Sequence, residues 1–218
     1  MEEKNIVEAV KKLKQESPKR NFSQKIDAIF ILKDLDLKKP EQQVDFFASL
    51  HFAPGKKTKI CAFCGPELFP DAEKSVDLAI SQLDFPKYQQ DKKLTKKLVK
   101  EYDYFIAQAN IMPQVAATFG KVLGPKGKMP NPKAGCVVPP KAALKPLYDK
   151  LQTTVRLQAK TQMVVNTMVG NDSQDEKEIL DNIKTIYNQL VHHLPNAQDN
   201  IKSVYIKYTM GKPVKITN

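Results

Sequence analysis

Ala53-Pro54-Gly55-Lys56-Lys57, followed by Lys59-Ile60-Cys61-Ala62-Phe63, is the stretch on which the architecture turns. A proline, a glycine and a lysine pair make a hinge rather than an element, and the apolar run behind them is a short buried-type strand. From there the texture alternates: helix over 72–83, a lysine-studded helix over 94–102, strand over 104–107, then helices over 112–122 and 141–151. Alternation of this kind predicts a parallel sheet with crossover helices. Upstream, Ile6, Val7, Val10 and Leu13 recur at helical spacing until Ser17-Pro18. A β-rich run over 22–32, a charged connection over 34–43 that contains Pro40 and a strand over 44–52 come next. Beyond Thr153 the chain returns to strands over 155–158 and 163–169. A long helix follows over 176–194, with Ile179, Ile183, Ile186, Leu190 and Leu194 on one face, then β segments over 203–208 and 214–216. The expected fold class is α/β and α+β. Residues 1–53 plus 153–218 form a discontinuous α+β domain, and residues 54–152 are an α/β domain inserted into it. Two covalent connections would restrict twisting between the domains yet permit hinge opening.

The 218 residues hold 35 Lys+Arg against 24 Asp+Glu, a net charge of +11, which points to a polyanionic partner. By segment, residues 1–53 carry +1, 54–152 carry +8 and 153–218 carry +2. Only Arg20 and Arg156 are arginines. Lysine is a point charge, so electrostatic positioning on phosphates fits better than bidentate base reading. A hydrophobic fraction of 41% suffices for a core. No apolar run approaches the roughly 20 residues of a membrane span, and Met1-Glu2-Glu3-Lys4 opens no signal peptide. A soluble, cytoplasmic protein is expected, and three cysteines, an odd number, suit a reducing compartment.

The stretch from Gly120 to Gly135, with Gly124-Pro-Lys-Gly-Lys-Met-Pro-Asn-Pro132 at its centre, fixes an irregular backbone from which Lys126, Lys128 and Lys133 project. It is no phosphate-binding P-loop, since Gly127-Lys128 is followed by Met129 and position 122 is Val122. Composition leaves nucleic-acid contact and a structural turn both open. Cys61 and Cys64 have no second pair to complete a zinc site, and Cys136, His192 and His193 are scattered, so buried core cysteines and no metal are expected. His51 and the histidine pair lack a nucleophile setting, and Asp172, Asp175, Glu176 and Glu178 read as a helix start rich in carboxylates. No enzyme signature emerges. A nucleotide-holding enzyme is disfavoured by the single glycine of Cys64-Gly65-Pro66, and a single-strand binder by the lack of an aromatic platform. Phe22, after Pro18-Lys19-Arg20-Asn21, begins a strand. Ser203-Val-Tyr-Ile-Lys-Tyr-Thr-Met-Gly211 places hydroxyls, a methionine and a glycine beside lysines. Paired in one domain, these would make an RNA-facing surface; the alternative puts Phe22, Tyr205 and Met210 in the core.

Gly124 to Pro132, Lys19-Arg20-Asn21-Phe22, Phe105-Ile-Ala-Gln-Ala109, Ser203-Val-Tyr205 and Thr209-Met-Gly211 together resemble the ribosomal protein L-one family in its archaeal form, over essentially the whole length. The resemblance implies a discontinuous first domain with an inserted Rossmann-like α/β domain, no cofactor and no catalysis. It implies a place in the large ribosomal subunit, where the first domain binds rRNA at the mobile stalk beside the tRNA exit site and stalk movement accompanies release of deacylated tRNA. It further implies repression of translation through a mimic site on its own mRNA leader, and a monomer when free. By position, Phe22, Ser203, Thr209, Met210 and Gly211 match the family's rRNA surface. Arg20 joins them by adjacency. Lys25 stands where a threonine is common, and Gln158-Ala159-Lys160-Thr161 replaces a hairpin tip that usually carries more arginine and an aspartate; Lys25 and Lys160 are counted with the rRNA contacts. Lys126, Lys128 and Lys133 are assigned to the tRNA or to the opposing domain.

Overall fold

The computed structural model describes residues 3–18, 20–55 and 57–216. Lys19 and Lys56, which figure in the strand start and the hinge above, lie outside the described residues. The chain divides into two compact units, residues 1–56 with 153–218, and residues 57–152.

In chain order the elements are α1 (Glu3–Glu16), β1 (Lys25–Leu32), β2 (Val44–Ser49), β3 (Ile60–Cys64), α2 (Phe69–Ser75), β4 (Leu78–Ser81), α3 (Phe85–Gln90), α4 (Lys92–Glu101), β5 (Tyr104–Gln108) and α5 (Met112–Leu123). They continue with β6 (Val137–Val138), α6 (Leu144–Thr153), β7 (Thr154–Ala159), β8 (Val164–Asn171), α7 (Glu176–His193), β9 (Ile201–Tyr208) and β10 (Val214–Ile216).

The discontinuous unit is organised by β1. Its alternation is strict: Ile26, Ala28, Phe30 and Leu32 are buried, while Lys25 is exposed and Asp27, Ile29 and Ile31 are half-buried. Such a strand presents one face to a core and leaves the other open. It pairs antiparallel with β8 on one side and β9 on the other, giving the order β10-β9-β1-β8. The buried face packs against α1, through Ile6, Val10 and Leu13, and against α7, through Ile179, Ile183 and Ile186. Helix α1 ends before Ser17-Pro18 because the residue preceding a proline disfavours helical backbone. β2 and β7 form a separate two-stranded sheet. Buried Asn182 ties elements together, its Nδ2 donating to Phe52 O and Val169 O while its Oδ1 accepts from Phe52 N.

The inserted unit is a parallel sheet in the order β4-β3-β5-β6, joined by helices. All five residues of β3 are buried, as a central parallel strand requires. Phe63 is the hub of an aromatic cluster, 4.6 Å from Phe119 and 5.7 Å from Phe105 between ring centroids.

Three expectations are corrected here. Phe22 does not begin a strand; pairing starts at Lys25, after an exposed bend. The run over 72–83 is not one helix. Helix α2 starts earlier, at Phe69, with Pro70 in its first turn, and ends at Ser75; Asp77 then accepts a hydrogen bond from Ile60 N and the chain enters β4. Finally, residues 158–161 are no hairpin tip, because β7 and β8 belong to different sheets and the turn between them is a corner.

Candidate nucleic-acid interface

The open face of the four-stranded sheet carries three rows set by strand register. Ser203, Ile31 and Val164 form one, Tyr205, Ile29 and Asn166 the next with Lys215 beyond, and Lys207, Asp27 and Met168 the third. Every one of these residues is half-buried or exposed. Apolar rings and branched chains here alternate with hydroxyls, an amide and two lysines. Burial raises the Asp27 carboxyl above its ordinary range, and Lys207 and Lys25 only partly counter it.

At one end of this face the β1 and β9 ladders bring the predicted residues together. Thr209 N and Thr209 Oγ1 both donate to Lys25 O, at 3.0 and 3.3 Å. Gly211 N donates to Tyr208 O and closes the turn into β10. A Cβ at Gly211 would stand 3.1 Å from Tyr208 Cβ and 3.4 Å from Ser17 Oγ, so the backbone there sits close against the end of α1. Met210 is 63% exposed and Phe22 is 54% exposed, which removes both from the core alternative. Ser23 Oγ donates to Asp172 Oδ1 and Gln24 N to Asp172 Oδ2, tying the bend before β1 to the turn after β8. Burial alone would raise the Asp172 carboxyl, but those donors and its neighbouring backbone N–H groups hold it below its ordinary value. A cleft of about 490 Å³ opens beside this end, lined by Lys14, Ser17, Arg20, Gln24, Asp172 and Tyr208. Gln24 is 6% exposed, and its Oε1 has no hydrogen-bond partner among the described residues.

Lys25 and the Thr209-Met210-Gly211 turn therefore form one neighbourhood, Arg20 lines the cleft beside it with Tyr208, and Phe22 lies in the bend between Arg20 and Lys25. Ser203 sits elsewhere, opposite Ile31 at the far end of the β1–β9 ladder, and joins the others only through the open face. Lys160 is not brought to them. It follows β7, and its Nζ lies 2.8 Å from Asp45 Oδ2, a carboxylate also held by Arg156 Nε at 2.9 Å. The open face also carries Asp27, Ile29, Ile31, Asn166, Met168 and Lys215, which the sequence reading did not name; the alternation along these strands was the signal that could have put them on one face.

In the inserted unit Lys126 and Lys133 are exposed. Lys128 does not project. Its Nζ donates to Val99 O at 3.0 Å and Tyr102 O at 2.6 Å, closing the C-terminal end of α4. The crevice between the carboxyl ends of β3 and β5, where an open α/β sheet holds a nucleotide, is occupied from within. Gly65 N donates to Gln108 Oε1 at 2.8 Å, and Gln108 is buried. All three cysteines are buried; burial raises the Cys61 thiol and pushes Cys64 and Cys136 up to about 11. Among the described residues no cluster of histidine, cysteine and carboxylate side chains is placed to hold a metal, and no helix is long and apolar enough to cross a membrane.

The ribosomal protein L1p/L10e family matches residues 10–212. The chain is similar to large ribosomal subunit protein uL1 of Pyrococcus abyssi, with 39% identity over 212 residues, 97% of this chain and 94% of that one. The uL1 protein of Methanobrevibacter smithii is 38% identical over 97% of this chain and 98% of its own. That of Methanothermobacter thermautotrophicus is 37% identical over 98% of this chain and 99% of its own.

Proposed function

The chain belongs to the ribosomal protein L1p/L10e family, and from that premise we propose that it is a constituent of the large ribosomal subunit whose discontinuous unit binds large-subunit rRNA. One observation carries the reading: Phe22 and Met210, two large apolar side chains, stand in water beside Thr209, Lys25 and the open sheet face. Exposed apolar groups set among hydroxyls and lysines suit a partner that offers ribose and base faces together with phosphates. Lys25, Lys207 and Lys215 position phosphates. Thr209 and Ser203 meet ribose hydroxyls, and Met210 with Gly211 lies against a minor groove. The contact is recognition without catalysis.

The same reading places the protein in the mobile stalk beside the tRNA exit site, where it assists release of deacylated tRNA and Lys126 and Lys133 contribute charge. Off the ribosome it is a monomer that represses its own message by binding a leader that mimics the rRNA site. Titration of the full chain against a stalk rRNA fragment and against its own mRNA leader, each over a salt series, tests these assignments. Met210→Ala is expected to weaken both complexes by about 1.5–3 kcal/mol, the value of burying such a side chain, while leaving thermal unfolding unchanged. Affinities of the variant unchanged from those of the parent for both RNAs would remove the sheet end from the interface.

A further inference from the structure

Helix α4 reads Lys-Lys-Leu-Thr-Lys-Lys-Leu-Val-Lys-Glu over residues 92–101. At 3.6 residues per turn its five lysines fall within an arc of about 140°. Thr95, Leu98 and Val99, the buried residues, lie on the opposite side. Lys92, Lys96 and Lys100 succeed one another at four-residue spacing, and Lys93 with Lys97 makes a second row.

This arrangement works against the helix that carries it. Like charges four residues apart repel along a helix, and Lys92 and Lys93 stand in the first turn, where the helix dipole disfavours cations. Elsewhere in the same unit Lys59 and Lys87 find carboxylates, whereas none of the five α4 lysines forms an ion pair within the described residues. The two nearest carboxylates in sequence are already committed: Asp91 Oδ1 caps the helix by accepting from Lys93 N and Leu94 N, and Glu101 Oε1, at the end of α4, accepts from Lys59 Nζ at 3.1 Å. Helix α4 is instead held by that cap, by its buried face and by Lys128 at its far end. An element maintained against its own local energetics marks a functional surface.

Successive lysines in a row stand roughly 6 Å apart, a spacing comparable to that of phosphates along one nucleic-acid strand. Lysine without arginine supplies point charges that follow a backbone and do not read bases. We infer that this face of α4 is a further nucleic-acid contact, which takes the phosphate backbone of an RNA duplex irrespective of its sequence. The inference rests on the reading that the chain works among RNA, but it concerns a surface separate from the sheet end.

The test uses the full chain and a short RNA duplex of arbitrary sequence, titrated over a salt series. The triple variant Lys92→Gln, Lys96→Gln, Lys100→Gln is expected to bind the duplex roughly tenfold more weakly and to flatten the salt slope by about two to three units. Its thermal midpoint should rise, since self-repulsion is relieved. A control triple of the same charge, Lys141→Gln, Lys145→Gln, Lys177→Gln, should leave duplex affinity within about twofold. An unchanged slope in the α4 variant, or an equal loss in the control, overturns the inference. So does polyglutamate competing as well as a duplex of equal charge, which would assign the face to an acidic protein. Met210→Ala separates the two readings: it should reduce stalk-fragment affinity and leave duplex binding intact, whereas the α4 triple should do the reverse.

Discussion

Thr209 is already committed inside the protein, because its hydroxyl donates to Lys25 O. Under the proposed reading, what it would offer a ribose is therefore its acceptor lone pair, held in a fixed direction by that bond. Thr209→Val keeps the shape and removes both roles. RNA binding is expected to weaken by about 1–3 kcal/mol, since a desolvated hydrogen bond is lost. Because the Lys25 bond is exposed, denaturant unfolding should move far less than the affinity does; a larger shift in unfolding than in binding would make Thr209 structural. Gln24 presents the opposite case. Its buried Oε1 accepts no hydrogen bond from the described residues, and an unpaired buried acceptor is a liability to the free protein. Gln24→Met removes that atom at similar volume and should stabilise the free protein by about 1 kcal/mol, read from its denaturation midpoint.

At the level of elements, Lys128 shows how a residue chosen for its charge can belong to packing. Lys128→Met keeps the aliphatic stem but leaves Val99 O and Tyr102 O without their donor, and should destabilise the inserted unit by about 1–2 kcal/mol. Its effect on rRNA affinity should be negligible, which a gel-shift titration checks. Nothing in Gly127-Lys128-Met129 announces this, since the partners are backbone carbonyls of a helix distant in sequence. The long periodic elements were legible: α7 is read as 176–194 and forms as Glu176–His193, because four apolar turns admit one period. Strand β4 was not, because four residues cannot separate a helical period from a strand, and what breaks the helix there is the Asp77 bond to Ile60 N. Of the candidate interface, residue chemistry left Phe22 and Met210 open between surface and core, and it was the family resemblance that assigned them, with Thr209 and Gly211, to an rRNA surface. The open rows of β1, β8 and β9 were not legible, since their neighbours come from register rather than from sequence proximity. The ion pair of Lys160 was hidden for the same reason, since its carboxylate partner Asp45 comes from β2.

Over the whole molecule, acid sensitivity follows from which carboxylates the fold favours. Burial acts to raise Asp45, but Arg156 and Lys160 hold it below its ordinary value, and Asp172 is likewise lowered. Stability from both is present above the ordinary carboxylate range and is lost as pH falls through their depressed values. Asp27 has the reverse sign, its penalty being relieved when it protonates. Asp45→Asn should therefore be less stable than the parent at neutral pH and converge with it in acid, as followed by denaturant midpoints across pH; a constant offset would contradict the linkage. The insertion also has a consequence in time. Strand β1 leaves the translating ribosome early, yet its partners β8 and β9 lie beyond the whole inserted unit. That unit has all its strands in one continuous stretch and can fold during elongation, while β1 and α1 wait with their apolar faces unpaired. An aborted chain that stops before β9 has no second partner for β1 and no Thr209-Met210-Gly211 turn. The β1–β9 ladder and the Thr209-Met210-Gly211 turn thus form only after the inserted unit has been made, so under the proposed reading a chain cut short before β9 cannot take the place of a complete one on RNA.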